Sequence, residues 1–306
     1  MAWLILAFMS AALLGCYDSF KKEALRENAV IPVLFLNTFF SSLIFLPFIV
    51  LSGSTDMLDG SIFHVASGEW EMHKYILLKS LIVLSSWILG YFGMKHLPLT
   101  IVGPINATRP VMVLVGALLV FGERLNGWQW LGVLLAVASF FMLSRSGKKE
   151  GIDFRRDHWI WMIVGSAAMG AISGLYDKYL MAPVESGGVG LDRMMVQSWY
   201  NIYQCFIMLT MLLLLWWPRH HETTPFHWHW SIIFVSIFLS TADFMYFYSL
   251  SLPDAMISIV SMIRRGSVVV SFLFGAAFFH EKNLKAKVVD LALVLLGMIF
   301  LAIGSA

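Results

Sequence analysis

The chain has 306 residues, 59% of them hydrophobic and only 13% charged, where soluble proteins carry about 45–50% and about 25%. That composition excludes an ordinary soluble domain and indicates an all-α membrane protein. A formal net charge of +2, with no basic stripe interleaved with aromatics, gives no reason to expect a nucleic-acid partner.

A helix needs about 20 mostly apolar residues to cross the hydrocarbon, and ten segments meet that requirement. In chain order they are roughly 2–20, 30–51, 74–95, 98–121 and 127–144, then roughly 158–180, 194–217, 229–250, 254–279 and 285–305. The first lacks a basic n-region and a small-residue cleavage site, so it is expected to stay as a helix. A basic connector, 145–157, divides the segments into two five-helix units, 1–144 and 158–306. Cys16 and Cys205 lie within apolar runs, where a thiol is a packed hydrophobe, so neither a disulfide framework nor a metal cluster is indicated.

The units repeat one another. SSWILGYFGMKHLPLTIVGPI at 85–105 returns as STADFMYFYSLSLPDAMISIV at 240–260. Gly15, Tyr17 and Asp18 return as Gly174, Tyr176 and Asp177, and Phe-Gly-Glu-Arg at 121–124 returns as Phe-His-Glu-Lys at 279–282. Five helices per unit is an odd number, so the second copy enters the bilayer from the opposite side and the units are expected to be inverted repeats. Thirteen of the 21 Lys and Arg fall in loops after odd-numbered helices, among them Lys21, Lys22, Arg145, Arg155 and Arg156. The positive-inside rule then puts those loops in the cytoplasm and both termini outside. Ala7, Ala11 and Gly15 in the first helix, and Ser166, Gly170 and Gly174 in the sixth, form small-residue stripes expected to serve close helix packing.

These features resemble the drug/metabolite transporter superfamily, specifically its EamA-type family. The resemblance is carried by two five-helix repeats, Leu-Pro at the start of each fourth helix, and RPVMVLVGALLVFGE at 109–123 with Trp130-Leu131-Gly132 after it. The second copy departs from the pattern: no proline follows its arginines, and Asp290 stands where the first copy has Gly132. The resemblance implies a secondary transporter of small metabolites or drugs, with a cavity between the repeats, in a plasma membrane such as the bacterial inner membrane. It does not imply a substrate, and no cofactor is implied.

Charged groups within the helices carry the finer expectations. Lys79 lies near a helix start and is expected to snorkel. Arg109, Arg264 and Arg265 lie deep in the fourth and ninth segments, where a basic residue costs about 2.5–3.5 kcal/mol on insertion scales and is kept for a partner or a function. Asp243 is the deep carboxylate. Three arginines against one carboxylate favour an anionic substrate group held by forked hydrogen bonds. The alternative is an internal ion pair between Asp243 and Arg264 or Arg265. Protons are the candidate coupling ion through Asp243.

Asn106 stands one helical turn from Arg109. Gln197, Asn201 and Gln204 share one helix face, with Asn37 as the counterpart of Asn201, and all four amides suit a cavity wall or a helix contact. Trp87, Tyr91, Trp199, Tyr200, Tyr203, Tyr246 and Tyr248 are candidate wall aromatics. Tyr17, Asp18, Tyr176 and Asp177 close equivalent helices and suggest gates, or salt bridges to Lys21, Lys22 or Lys178. Glu123 and Glu281 are expected to serve tight turns. His220, His221, His227 and His229 lack metal-ligand spacing. The competing function is a polytopic membrane enzyme acting on a lipid or isoprenoid, for which neither an Asp-rich motif nor a nucleophile motif is present.

Overall fold

The computed structural model describes residues 2–109, 111–112, 126–148, 154–181, 183–252, 260, 263–279 and 284–305. Among them are ten α-helices and no strand: α1 (Ala2–Ala24), α2 (Val30–Ser54), α3 (Trp70–His96), α4 (Leu99–Ala107), α5 (Gly127–Lys148), α6 (His158–Met181), α7 (Arg193–Met211), α8 (Ser231–Ser251), α9 (Ser267–Ala277) and α10 (Leu284–Ser305). Six stretches, within α1, α2, α3, α6, α8 and the run Arg193–Arg219, are long and apolar enough to cross a bilayer. The chain is therefore a multi-pass membrane protein. Its exposed apolar residues, such as Phe8, Leu43, Leu134, Phe206 and Leu273, suit a lipid-facing surface.

Local chemistry sets the helix limits. Asn126 and Gln129 cap the start of α5 reciprocally: Asn126 Oδ1 accepts from the Gln129 N–H at 2.9 Å, and Gln129 Oε1 accepts from the Asn126 N–H at 3.0 Å. Asp192 caps α7 by accepting from the Met195 N–H at 2.9 Å. Pro47 is tolerated inside α2, as prolines are in membrane helices. Lys21 and Lys22 occupy the last turn of α1, where cations complement the helix dipole.

Helix contacts run mainly between the halves. α1 packs on α8 and α3 on α6, while α2, α4 and α5 pack on α7, α9 and α10 respectively. Renaming each helix as its partner five places along leaves this set of contacts unchanged. Both fourth helices also tighten at the same place. Thr108 N–H bonds the Ile105 carbonyl at 3.1 Å and Gly266 N–H bonds the Ile263 carbonyl at 2.9 Å, three residues back instead of four. The two turns are 158 positions apart, the separation of Glu123 from Glu281, which themselves lie outside the described residues. The fourth and ninth segments, expected as continuous helices, thus carry a tightened turn beside Arg109 and Arg265. Pro253, and residues 110, 113–121, 254–259 and 261–262 within these segments, fall outside the described residues.

The core forms two main clusters. One gathers Tyr17, Leu34, Leu84, Tyr91 and Met94, the other Phe45, Ile76, Leu180, Tyr200 and Tyr246. Members of both line the space between the halves.

Candidate functional site: a charged cavity between the halves

A cavity of about 160 Å³ opens between the two halves, lined by α1, α3, α4, α6, α7, α8 and the turn into α9. The last turns of α1 present Tyr17, Asp18 and Lys21. α3 adds Lys79, Ser86, Trp87 and Tyr91, α4 adds Asn106, and Arg109 follows just beyond it. From the other half come Ser166, Gly170, Ser173, Gly174 and Asp177 on α6, Tyr200 on α7, Asp243 and Tyr246 on α8, then Arg264 and Arg265.

Each carboxylate on this wall is engaged. Lys21 Nζ pairs with Asp18 at 2.7 Å within one helix and sits 4.2 Å from the Tyr17 ring centre. Lys79 pairs with Asp177, joining α3 to α6. Arg264 pairs with Asp243, whose second oxygen accepts from Tyr200 Oη at 3.0 Å, and the Arg264 guanidinium lies 4.2 Å from the Tyr246 ring centre. The ion pair between Asp243 and Arg264, the structural alternative read from the sequence, is present. It does not use up the arginines.

Arg109, two residues past the end of α4, reaches across to α6. Its Nη2 donates to Asn106 Oδ1 at 3.1 Å, while its Nε is buried with no partner among the described residues. A Cβ on Gly170 would stand 2.8 Å from the guanidinium carbon, so the bare glycine backbone is what lets Arg109 lie there. Gly174 has open space where its Cβ would be. On α6, Gly170 and Gly174 thus clear room for an arginine and for the cavity, while Ser166 packs closely on Gly90 of α3 as the stripe was expected to. The stripe of α1 packs too: a Cβ on Gly15 would come 2.8 Å from the Ser267 carbonyl oxygen of α9.

The cavity collects Arg109, Asn106, Arg264, Arg265, Asp243, Tyr17, Asp18 and Asp177 from the expected residues, together with Trp87, Tyr91, Tyr200 and Tyr246. It leaves out eight others. Asn37 Nδ2 donates to Tyr91 Oη at 3.0 Å, Gln197 Nε2 to the Ser240 carbonyl at 3.2 Å, and Asn201 Nδ2 to the Gln197 carbonyl at 2.7 Å. Gln204 is fully buried. The amide face of α7 is turned into the contacts with α2 and α8, because that side of a shared helix face faces protein and not the opening. Tyr176 also departs, donating to the Tyr75 carbonyl at 3.2 Å on α3. Trp199 and Tyr203 pack around His73, and Tyr248 lies against Arg193.

Lys79 corrects another expectation. It is 3% exposed and holds Asp177, instead of extending toward an interface. The missed signal was its depth: nine residues past Trp70 is about 14 Å along a helix at 1.5 Å per residue. Lys21, Ser86, Ser166 and Ser173 were not legible as wall residues, since nothing in their local pattern distinguishes them from packing residues.

Residues 1–145 match the EamA-like transporter family, which bears out the resemblance carried by the first repeat. No curated protein matches the chain. A solved structure, named only as the crystal structure of a protein, superposes with a TM-score of 0.64 at 11% identity, over 97% of this chain and 94% of its own. At that identity the likeness concerns the fold.

Proposed function

From the membership of residues 1–145 in the EamA-like transporter family, a family of the drug/metabolite transporter superfamily, we propose that the chain is a secondary active transporter. It moves a small polar or anionic metabolite by alternating access of its two halves, 1–144 and 158–306, as inverted repeats. The observation that carries this reading is the cavity itself. It is lined from both halves and concentrates charged side chains that a bilayer protein keeps only for a partner or a function. Support for the repeat comes from helix contacts that survive exchange of the halves and from the equivalent tightened turns at Thr108 and Gly266.

In this account Arg109, Arg265 and Asn106 meet the substrate, and Arg264 with Asp243 forms the adjoining wall. Asp18 with Lys21, and Asp177 with Lys79, act as gates. Asp243, held by Arg264 and Tyr200, is the residue through which proton coupling would run. The protein works in a plasma membrane with both termini outside; a reporter fused to Ala306 that proved cytoplasmic would reverse that orientation.

The test is uptake of labelled metabolites into liposomes holding the purified chain. Arg109→Ala and Arg264→Ala are each expected to reduce uptake. If both transport like the parent chain, the cavity is not the substrate site. If Asp243→Asn keeps the parent's pH dependence, that carboxylate carries no coupling proton.

A further inference from the structure

Charge counting on the cavity wall sharpens the substrate class. Five cations face three carboxylates among the described lining residues. Asp18 is taken by Lys21, Asp177 by Lys79 and Asp243 by Arg264. Arg109 and Arg265 are left without a carboxylate in ion-pair range among the described residues, and like charges on one cavity wall repel. An arginine cannot relieve that repulsion by giving up its proton.

The two guanidiniums are placed in a related way. Arg109 directly follows the tightened turn at Thr108, and Arg265 directly precedes the equivalent turn at Gly266. The helices beside them, α4 ending two residues before Arg109 and α9 beginning two residues after Arg265, pack on one another. One arginine therefore comes from each half of the chain, and both line one cavity. The Arg109 Nε, buried and without a partner, is a donor still waiting for an acceptor.

We propose that the cavity binds a dianion, a phosphate monoester or a dicarboxylate, with Arg109 and Arg265 supplying one guanidinium each from opposite halves. Two negative charges bring the wall to neutrality, whereas a monoanion leaves one positive charge uncompensated and a zwitterion, whose carboxylate is offset by its own ammonium, leaves two. The planar fork of a guanidinium matches a carboxylate or phosphoryl edge with two parallel hydrogen bonds. A dianion so held bridges the halves, so that its arrival and departure bear on the contact that alternating access has to remake. The inference rests on the transporter reading for movement of the anion, while the binding step is measurable without transport.

The experiment uses the full chain purified in detergent, at constant ionic strength and pH 7.5. Thermal stabilisation is titrated with glycerol 3-phosphate and succinate as dianions, lactate as a monoanion and alanine as a zwitterion. At least one dianion is expected to stabilise saturably and at no less than tenfold lower concentration than lactate or alanine. The gap between the two dianions tells a phosphoryl site from a dicarboxylate site. Arg109→Gln and Arg265→Gln are each expected to weaken the dianion by tenfold or more, and Arg109→Lys, which keeps the charge but loses the fork, by less. If one glutamine variant does not fold, the other and the lysine variant carry the same comparison.

Equal stabilisation by lactate or alanine, no stabilisation by either dianion, or an unchanged dianion affinity in a folded Arg265→Gln protein overturns the proposal. Liposome uptake separates the two readings. A dianion that binds through both arginines yet never crosses sinks the transporter reading and leaves this one standing. Uptake of alanine that is indifferent to both arginines does the reverse.

Discussion

Lys79 on α3 is paired with Asp177 on α6, so a charge pair on the cavity wall ties the first half of the chain to the second. Both side chains are largely buried, at 3% and 14% exposure. Removing one partner from a buried pair leaves the other charge uncompensated, at about 3–5 kcal/mol. Lys79→Gln is expected to lower the melting temperature in detergent accordingly. Lys21→Gln is expected to cost less, because its pair with Asp18 lies within one helix and joins no two elements. Equal losses in the two variants would contradict a bridging role for Lys79.

Gly170 and Gly174 are one turn apart on α6 and face different surroundings. A Cβ at Gly170 meets the Arg109 guanidinium at 2.8 Å, whereas one at Gly174 meets nothing within 4 Å. Gly170→Ala is therefore expected to displace Arg109 and weaken binding of an anionic substrate by about tenfold, roughly the 1–3 kcal/mol range of overpacking. Gly174→Ala is expected to leave affinity within about twofold, since its methyl group enters open space well inside the cost of an overpacked site. Anion-dependent thermal stabilisation measured on the two variants checks both.

The legibility of the chain divides along these lines. The ten helices among the described residues, in their order, followed from hydrophobic segment length and from the Leu-Pro and Gly-Tyr-Asp signals. Those are local properties. Arg109, Arg264, Arg265 and Asp243 were legible because an ionised group deep in an apolar segment is conspicuous wherever the helix turns. The amides of α7 were not, since Gln197, Asn201 and Gln204 share a face under any rotation of their helix and only tertiary packing decides what that face meets. The partner of Lys79, 98 residues away in sequence, is likewise set only by tertiary packing.

Gln204 follows from that misplacement. Its side chain is fully buried, and neither Oε1 nor Nε2 has a partner among the described residues. A buried polar group that makes no hydrogen bond costs about 1–3 kcal/mol. Gln204→Met is therefore expected to match or exceed the parent chain in melting temperature. A loss of more than about 1 kcal/mol would mean that the amide is satisfied, by a bound water or otherwise.

Alternating access requires that one cavity be presented in turn to the two sides of the membrane. Ser173 lines it on α6, and the two native cysteines are removable by Cys16→Ala and Cys205→Ala. In that background Ser173→Cys, reconstituted in sealed vesicles of known orientation, is exposed to a membrane-impermeant thiol reagent added from one side or the other. The account predicts modification from both sides, without leakage of the reagent, and a shift in the ratio of the two rates when a bound anion biases the halves. Modification from one side only, with or without that anion, would contradict it.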